Sequence, residues 1–126
     1  MEYRFRINQD DLSYLYNSAQ ARIKAHPEFA EKQKKVIQEH TYFKTEKEAL
    51  ESTISKMKDN NSSYQIWAKT EKEGNIIRIQ DYWITTDDNK VKLAADYLGM
   101  ALIYDTTKLQ NIIDDNVKID NVIAYD

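Results

Sequence analysis

His26 and His40 are the only imidazoles in this chain, and it contains no cysteine. Thiolate nucleophiles, a disulfide framework and Cys-ligated zinc are therefore excluded. A histidine base needs an orienting partner within hydrogen-bond reach. His26 stands before Pro27, His40 has only Glu39 beside it, and no His-x-x-x-His spacing links the two. Both are expected to be structural or simply exposed. The acid pairs Asp87-Asp88 and Asp114-Asp115 offer hard oxygens, but a calcium loop needs ligands at alternate positions and a glycine in its turn. Asp114, Asn116 and Asp120 supply neither that full spacing nor the glycine. The pairs are expected to cap helices and line solvated turns. Gly74 and Gly99 stand alone, so no phosphate loop can be assembled, and no Gly-x-Ser-x-Gly elbow exists. No catalytic residue, metal site or cofactor is expected.

Basic and aromatic residues carry more information. Lys32, Lys34 and Lys35 form the densest basic run, with Arg22 and Lys24 nearby and Glu28 and Glu31 diluting it. A solvated helix face is the plain interpretation, and an anchor for a phosphate or an acidic protein is the alternative. Arg4 and Arg6 project to one side of an N-terminal strand, as suits a protected sheet edge. Nine tyrosines, two tryptophans and three phenylalanines are present, so eleven of fourteen aromatic rings carry a polar tip. Such rings combine large contact area with a hydrogen-bonding handle and are favoured at interfaces. The composition favours a binder over an enzyme.

These residues must be positioned by a small set of elements. A chain of 126 residues fits a single α+β domain spanning 1–126. Met1 to Asn8 alternates as a half-buried strand, after which Asp10 or Asp11 caps a helix with Leu12, Leu15, Tyr16, Ala19 and Ile23 as its stripe. Pro27 ends that helix near His26 and opens a short one over 28–34, followed by a strand over 36–43, although helix and strand signals compete across 34–43. Thr45 and Glu48 form a capping box for a helix to about Lys58. Residues 64–69 and 76–85 predict a central antiparallel hairpin around Gly74-Asn75. Asp87, Asp88 or Asn89 caps the next helix, in which Gly99 marks either an end or a close approach. A short strand over 102–104, a helix capped by Thr106 or Thr107, and a closing strand over Val117–Tyr125 complete the pattern. An antiparallel or mixed sheet packed against several short helices is the expected architecture.

Eighteen basic and 21 acidic residues give a net charge of −3, without the basic footprint of a nucleic-acid binder. No apolar run approaches a membrane span, and Met1-Glu2-Tyr3-Arg4 is not the start of a signal peptide, so a cytoplasmic protein is expected. The expected role is contact with another protein, in the manner of an inhibitor or immunity protein; self-association is left open. Parity on the hairpin places Trp67, Arg78 and Tyr82 together on an outward face as the binding residues, unless a helix covers that face. In the alternative, a small-ligand binder or enzyme, Arg78, Asp81 and Tyr82 converge on a pocket between sheet and helices.

Overall fold

The computed structural model describes residues 8–36 and 41–124. The expected strand over 1–8 and His40 fall outside them, apart from Asn8. Helix α1 (Gln9–Ala25) starts at Asn8, earlier than the expected aspartate cap: the Asn8 side chain accepts from the Asp11 N–H, and the Asp11 carboxylate accepts from the Asn8 N–H. The reciprocal pair is a capping box in which Asp11 takes the third helical position. Pro27 opens α2 (Pro27–Gln33), where its missing N–H costs nothing. Of the strand expected over 36–43, residues 37–40 lie outside the described residues, Val36 is in a turn and Thr41–Phe43 form β1. Thr45 caps α3 (Glu46–Asn60) by accepting from the Glu48 N–H, and the helix closes on Asn61, whose φ of 52° is the left-handed conformation that asparagine tolerates.

The hairpin is longer than expected, with β2 over Tyr64–Glu73 and β3 over Ile76–Thr86. Asp88 caps α4 (Asn89–Tyr97), accepting from the N–H groups of Lys90 and Val91. Gly99 both ends that helix and permits close packing. Its φ is +79°, and a Cβ there would lie 2.7 Å from Ile23 Cδ1 of α1. Strand β4 (Ala101–Tyr104) follows, then α5 (Thr106–Asp114), which is capped by Asp105 in place of either threonine.

The closing strand is overturned. Described residues 117–124 form no strand, and Ile119–Asn121 is a 3-10 turn whose backbone bonds close locally, from Asn121 N–H to Lys118 O and from Val122 N–H to Ile119 O. Val117, Ile119, Val122 and Ile123 still reach the core. Apolar residues at near-alternate positions are equally served by a wrapping coil.

Among the described residues all strand pairs are antiparallel, in the order β1-β3-β2-β4. With helices on both faces, this is the expected α+β architecture. One face carries Ile66, Ala68, Tyr82 and Ile84 against α3 and α5, through Leu50, Ile54, Met57, Leu109 and Ile112. The other holds Trp67 and Trp83 beneath Ala94, Ala95 and Met100. A row of Tyr42, Trp83, Trp67 and Leu102 crosses all four strands, with exposed side chains only at its two ends.

Exposed strand edges are closed by side chains. The Gln9 amide accepts from Ile77 N–H and donates to Ile77 O, each at 2.9 Å, standing in for a further strand. On the β4 side, Arg22 donates to Met100 O and Lys108 to Ile103 O. Satisfying edge groups in this way limits strand addition by other chains. Among the described residues, no helix is long and apolar enough to cross a membrane.

Candidate partner-binding surface

Trp67, Arg78 and Tyr82 do not meet. Trp67 is 2% exposed and faces Trp83, with its Nε1–H donating to Thr85 Oγ1 at 2.9 Å. Tyr82 is likewise 2% exposed, but on the opposite face, in the main core. Arg78 is exposed farther along the hairpin, where its guanidinium pairs with Glu71 at 2.8 Å and Glu73 at 2.9 Å. Arg78 is opposite Glu71, four residues along β2 from Trp67, and a bulge accounts for Tyr82. Lys69 faces Asp81 and Thr70 faces Ile79, which leaves Gln80 without a cross-strand partner. One extra residue reverses the parity of everything beyond it. Ile77 and Ile79 lie on the expected face, while Tyr82 and Ile84 return to the core. Helix α4 covers Trp67, so the open aromatic-and-arginine patch is not formed.

Arg78, Asp81 and Tyr82 do not converge either, since Tyr82 lies in the main core while Arg78 is exposed on Glu71 and Glu73. Asp81 is taken by Lys44 at 2.7 Å, and the hydrogen bond and charge of Asp81 raise the Lys44 ammonium above its usual value.

The acid pairs serve local structure. Asp88 caps α4, and Asp114 accepts from Gln110 Nε2 at 2.8 Å. Asp87 accepts from Gln65 Nε2 at 2.7 Å and from Lys92 Nζ at 3.1 Å, and the Lys92 hydrogen bond is the main cause that holds its carboxyl below the usual range. Gln65 Oε1 is buried and has no hydrogen-bond partner among the described residues. Nor do the described residues hold any group of three or more His, Cys, Asp or Glu able to bind a metal.

A cluster of aromatic rings is built where α2 meets α4. Pro27 turns the chain directly from α1 into α2, which sets His26 and Phe29 against Tyr97 at the last position of α4. The three half-buried rings lie with centroids 5.3 Å apart in every pairing; His26 and Tyr97 meet edge to face, and the other two pairs are tilted. Such geometries suit ring quadrupoles. Leu93, one turn before Tyr97 and so on its side of the helix, is 50% exposed. Lys32 Nζ lies 6.0 Å from the Phe29 centroid, at the outer reach of a cation–π contact.

The basic residues near these rings in sequence differ in their commitments. Arg22 is committed, donating to Asp96 O at 2.9 Å and Met100 O at 3.1 Å, which pins α1 to the end of α4. Desolvation raises the neighbouring Asp96 carboxyl, and the Arg22 charge opposes that rise. Lys34 pairs with Glu31 at 2.9 Å. Lys24, Lys32 and Lys35 are exposed and make no ion pair with a described carboxylate. Sequence reasoning found this basic run but missed the ring cluster, because Tyr97 comes from a distant element and no local spacing announces it.

No protein-family model, curated protein or solved structure matches the chain.

Proposed function

We propose that the protein acts by binding another protein through the α2–α4 surface, as a cytoplasmic inhibitor or immunity-type protein would. The observation supporting this is the cluster of His26, Phe29 and Tyr97, left partly open to solvent and extended by the half-exposed Leu93. Aromatic anchors ringed by polar groups are where interface energy concentrates, and they require no catalytic motif. The test is capture from a native-source extract with wild-type and Leu93→Gln baits, the variant being neutral and compatible with helix. The expected result is a stoichiometric partner held by the wild type and lost or strongly weakened with Leu93→Gln at unchanged melting temperature. A partner held equally by both baits would put the interface elsewhere, and capture of none would defeat the proposal.

A second reading, small-ligand binding, has one observation in its favour: the buried, unpartnered Gln65 Oε1 beside Asp87, a lone acceptor that a donor group of a ligand would satisfy. A thermal-shift screen of metabolites checks it, since a ligand at 100 times its Kd adds about 2.7 kcal/mol. No shift across the screen would count against that reading.

A further inference from the structure

Resting on the α2–α4 reading, we infer that the partner presents an acidic protein face, met by Lys32 at the ring cluster and by the exposed Lys24 and Lys35 that flank it in sequence. Residues 22–36 carry five basic and two acidic side chains, a net of +3 in a chain whose total is −3. The remaining residues therefore hold −6, and the sign of the molecule reverses locally at this surface. The three lysines are exposed and make no ion pair with a described carboxylate, while Arg22 and Lys34 already have partners. Lys32 stands over Phe29, so a carboxylate meeting it would lie directly above an aromatic contact. Apolar anchors with charges at their rim are the arrangement in which complementary charge governs encounter and register. A nucleic acid fits less well. It would need a stripe of phosphate contacts, whereas Glu28 and Glu31 interrupt this run and the acidic remainder repels a polyanion.

The inference is tested by nuclear magnetic resonance on the 15N-labelled full chain. It is titrated with an Asp/Glu-rich peptide bearing one tryptophan, at about 1 mM, a concentration that reveals even millimolar affinity. A DNA duplex and a dilution series without any probe run in parallel. The peptide is expected to shift resonances of residues 22–36 and 93–97, with apparent Kd rising at least about fivefold between low salt and several hundred millimolar as the charges are screened. The Lys24→Gln/Lys32→Gln/Lys35→Gln variant, shown folded by its own spectrum, should lose most of that affinity and its salt dependence.

Absence of localised shifts, or equal binding by the triple variant, overturns the acidic partner. Stronger binding of the duplex at the same residues assigns the surface to nucleic acid. Dilution-dependent shifts there assign it to a second copy of the chain. A captured partner that Leu93→Gln loses but the triple variant keeps would refute the acidic chemistry while leaving the protein-binding reading intact. Localised peptide binding with no partner captured would do the reverse.

Discussion

Trp67 makes the sharpest stability prediction, and at it the structure takes the alternative that the sequence left open, a covering helix. Covered by Ala94, Ala95 and Met100, and hydrogen-bonded through Nε1–H to Thr85, it is core. Trp67→Ala is expected to cost about 3–5 kcal/mol by denaturant melts, whereas Arg78→Ala, on an exposed ion pair, should stay within about 0.5 kcal/mol. Glu46 is the other buried residue of consequence. Its carboxylate accepts from the Tyr104 hydroxyl and from the Ala124 N–H, so one side chain at the start of α3 holds both β4 and the chain's last described residues. Glu46→Ala leaves the Tyr104 hydroxyl with Val122 O as its acceptor and the part-buried Ala124 N–H without the carboxylate, and should destabilise by on the order of 1–3 kcal/mol, with Glu46→Gln recovering part of it. Asp87 gives a pH signature. Its folded carboxyl is held below the ordinary 3.8, so its contribution is present above that value and fades as pH falls through the lower folded one. The stability gap between wild type and Lys92→Gln should therefore be constant near neutrality and close in strong acid. A gap that persists unchanged in strong acid would show that Lys92 acts through something other than the Asp87 charge.

At the scale of elements, what was legible had a local cause. The Thr45 cap, the Pro27 junction, the hairpin around Gly74-Asn75 and the helix end at Gly99 all follow from backbone chemistry within a few residues. The Gln80 bulge has no such marker: Gln80 is an ordinary polar residue, and only the demand of Tyr82 and Ile84 for a core built by α3 and α5 places the extra residue there. That one residue turned Tyr82 and Ile84 to the opposite face, while Trp67 and Arg78 keep the expected face but are parted by the cover of α4 and by the pairing of Arg78 with Glu71. The strand expected over 117–125 failed for a related reason, since alternation reports which side chains seek cover but not whether a neighbouring strand is available. The ring cluster was invisible because its members come from α1's end, α2 and α4. Gly99 offers the test at this scale. A side chain there meets both a positive φ and the Ile23 side chain at 2.7 Å, so Gly99→Ala should cost more than about 1 kcal/mol and loosen the α1–α4 contact. Hydrogen exchange should then speed up in α1 ahead of β2 and β3. Uniform acceleration would mean that α1 is not separately held by this junction.

For the whole molecule, the decisive feature is that two cores share one sheet. Residues 66–68 of β2 alternate between them, with Ile66 and Ala68 facing α3 and α5 while Trp67 faces α4. A strand cannot leave one core without leaving the other, so the sheet couples them mechanically. Such coupling gives the surface of α2 and α4 a rigid base, because α4 is seated on the tryptophan pair and Tyr97 is carried at its end. Both tryptophans of the chain lie in the core beneath α4, so their fluorescence reports on that side alone, while far-UV circular dichroism follows all the helices. In a cooperative transition the two probes share a midpoint. Leu50 is fully buried on the far side of the sheet and belongs to the other core. Leu50→Ala should therefore lower stability by about 2–5 kcal/mol and move the tryptophan midpoint by the same amount as the dichroism midpoint. If the fluorescence midpoint stays in place while the dichroism midpoint falls, the cores unfold separately and the shared sheet is not the coupling element.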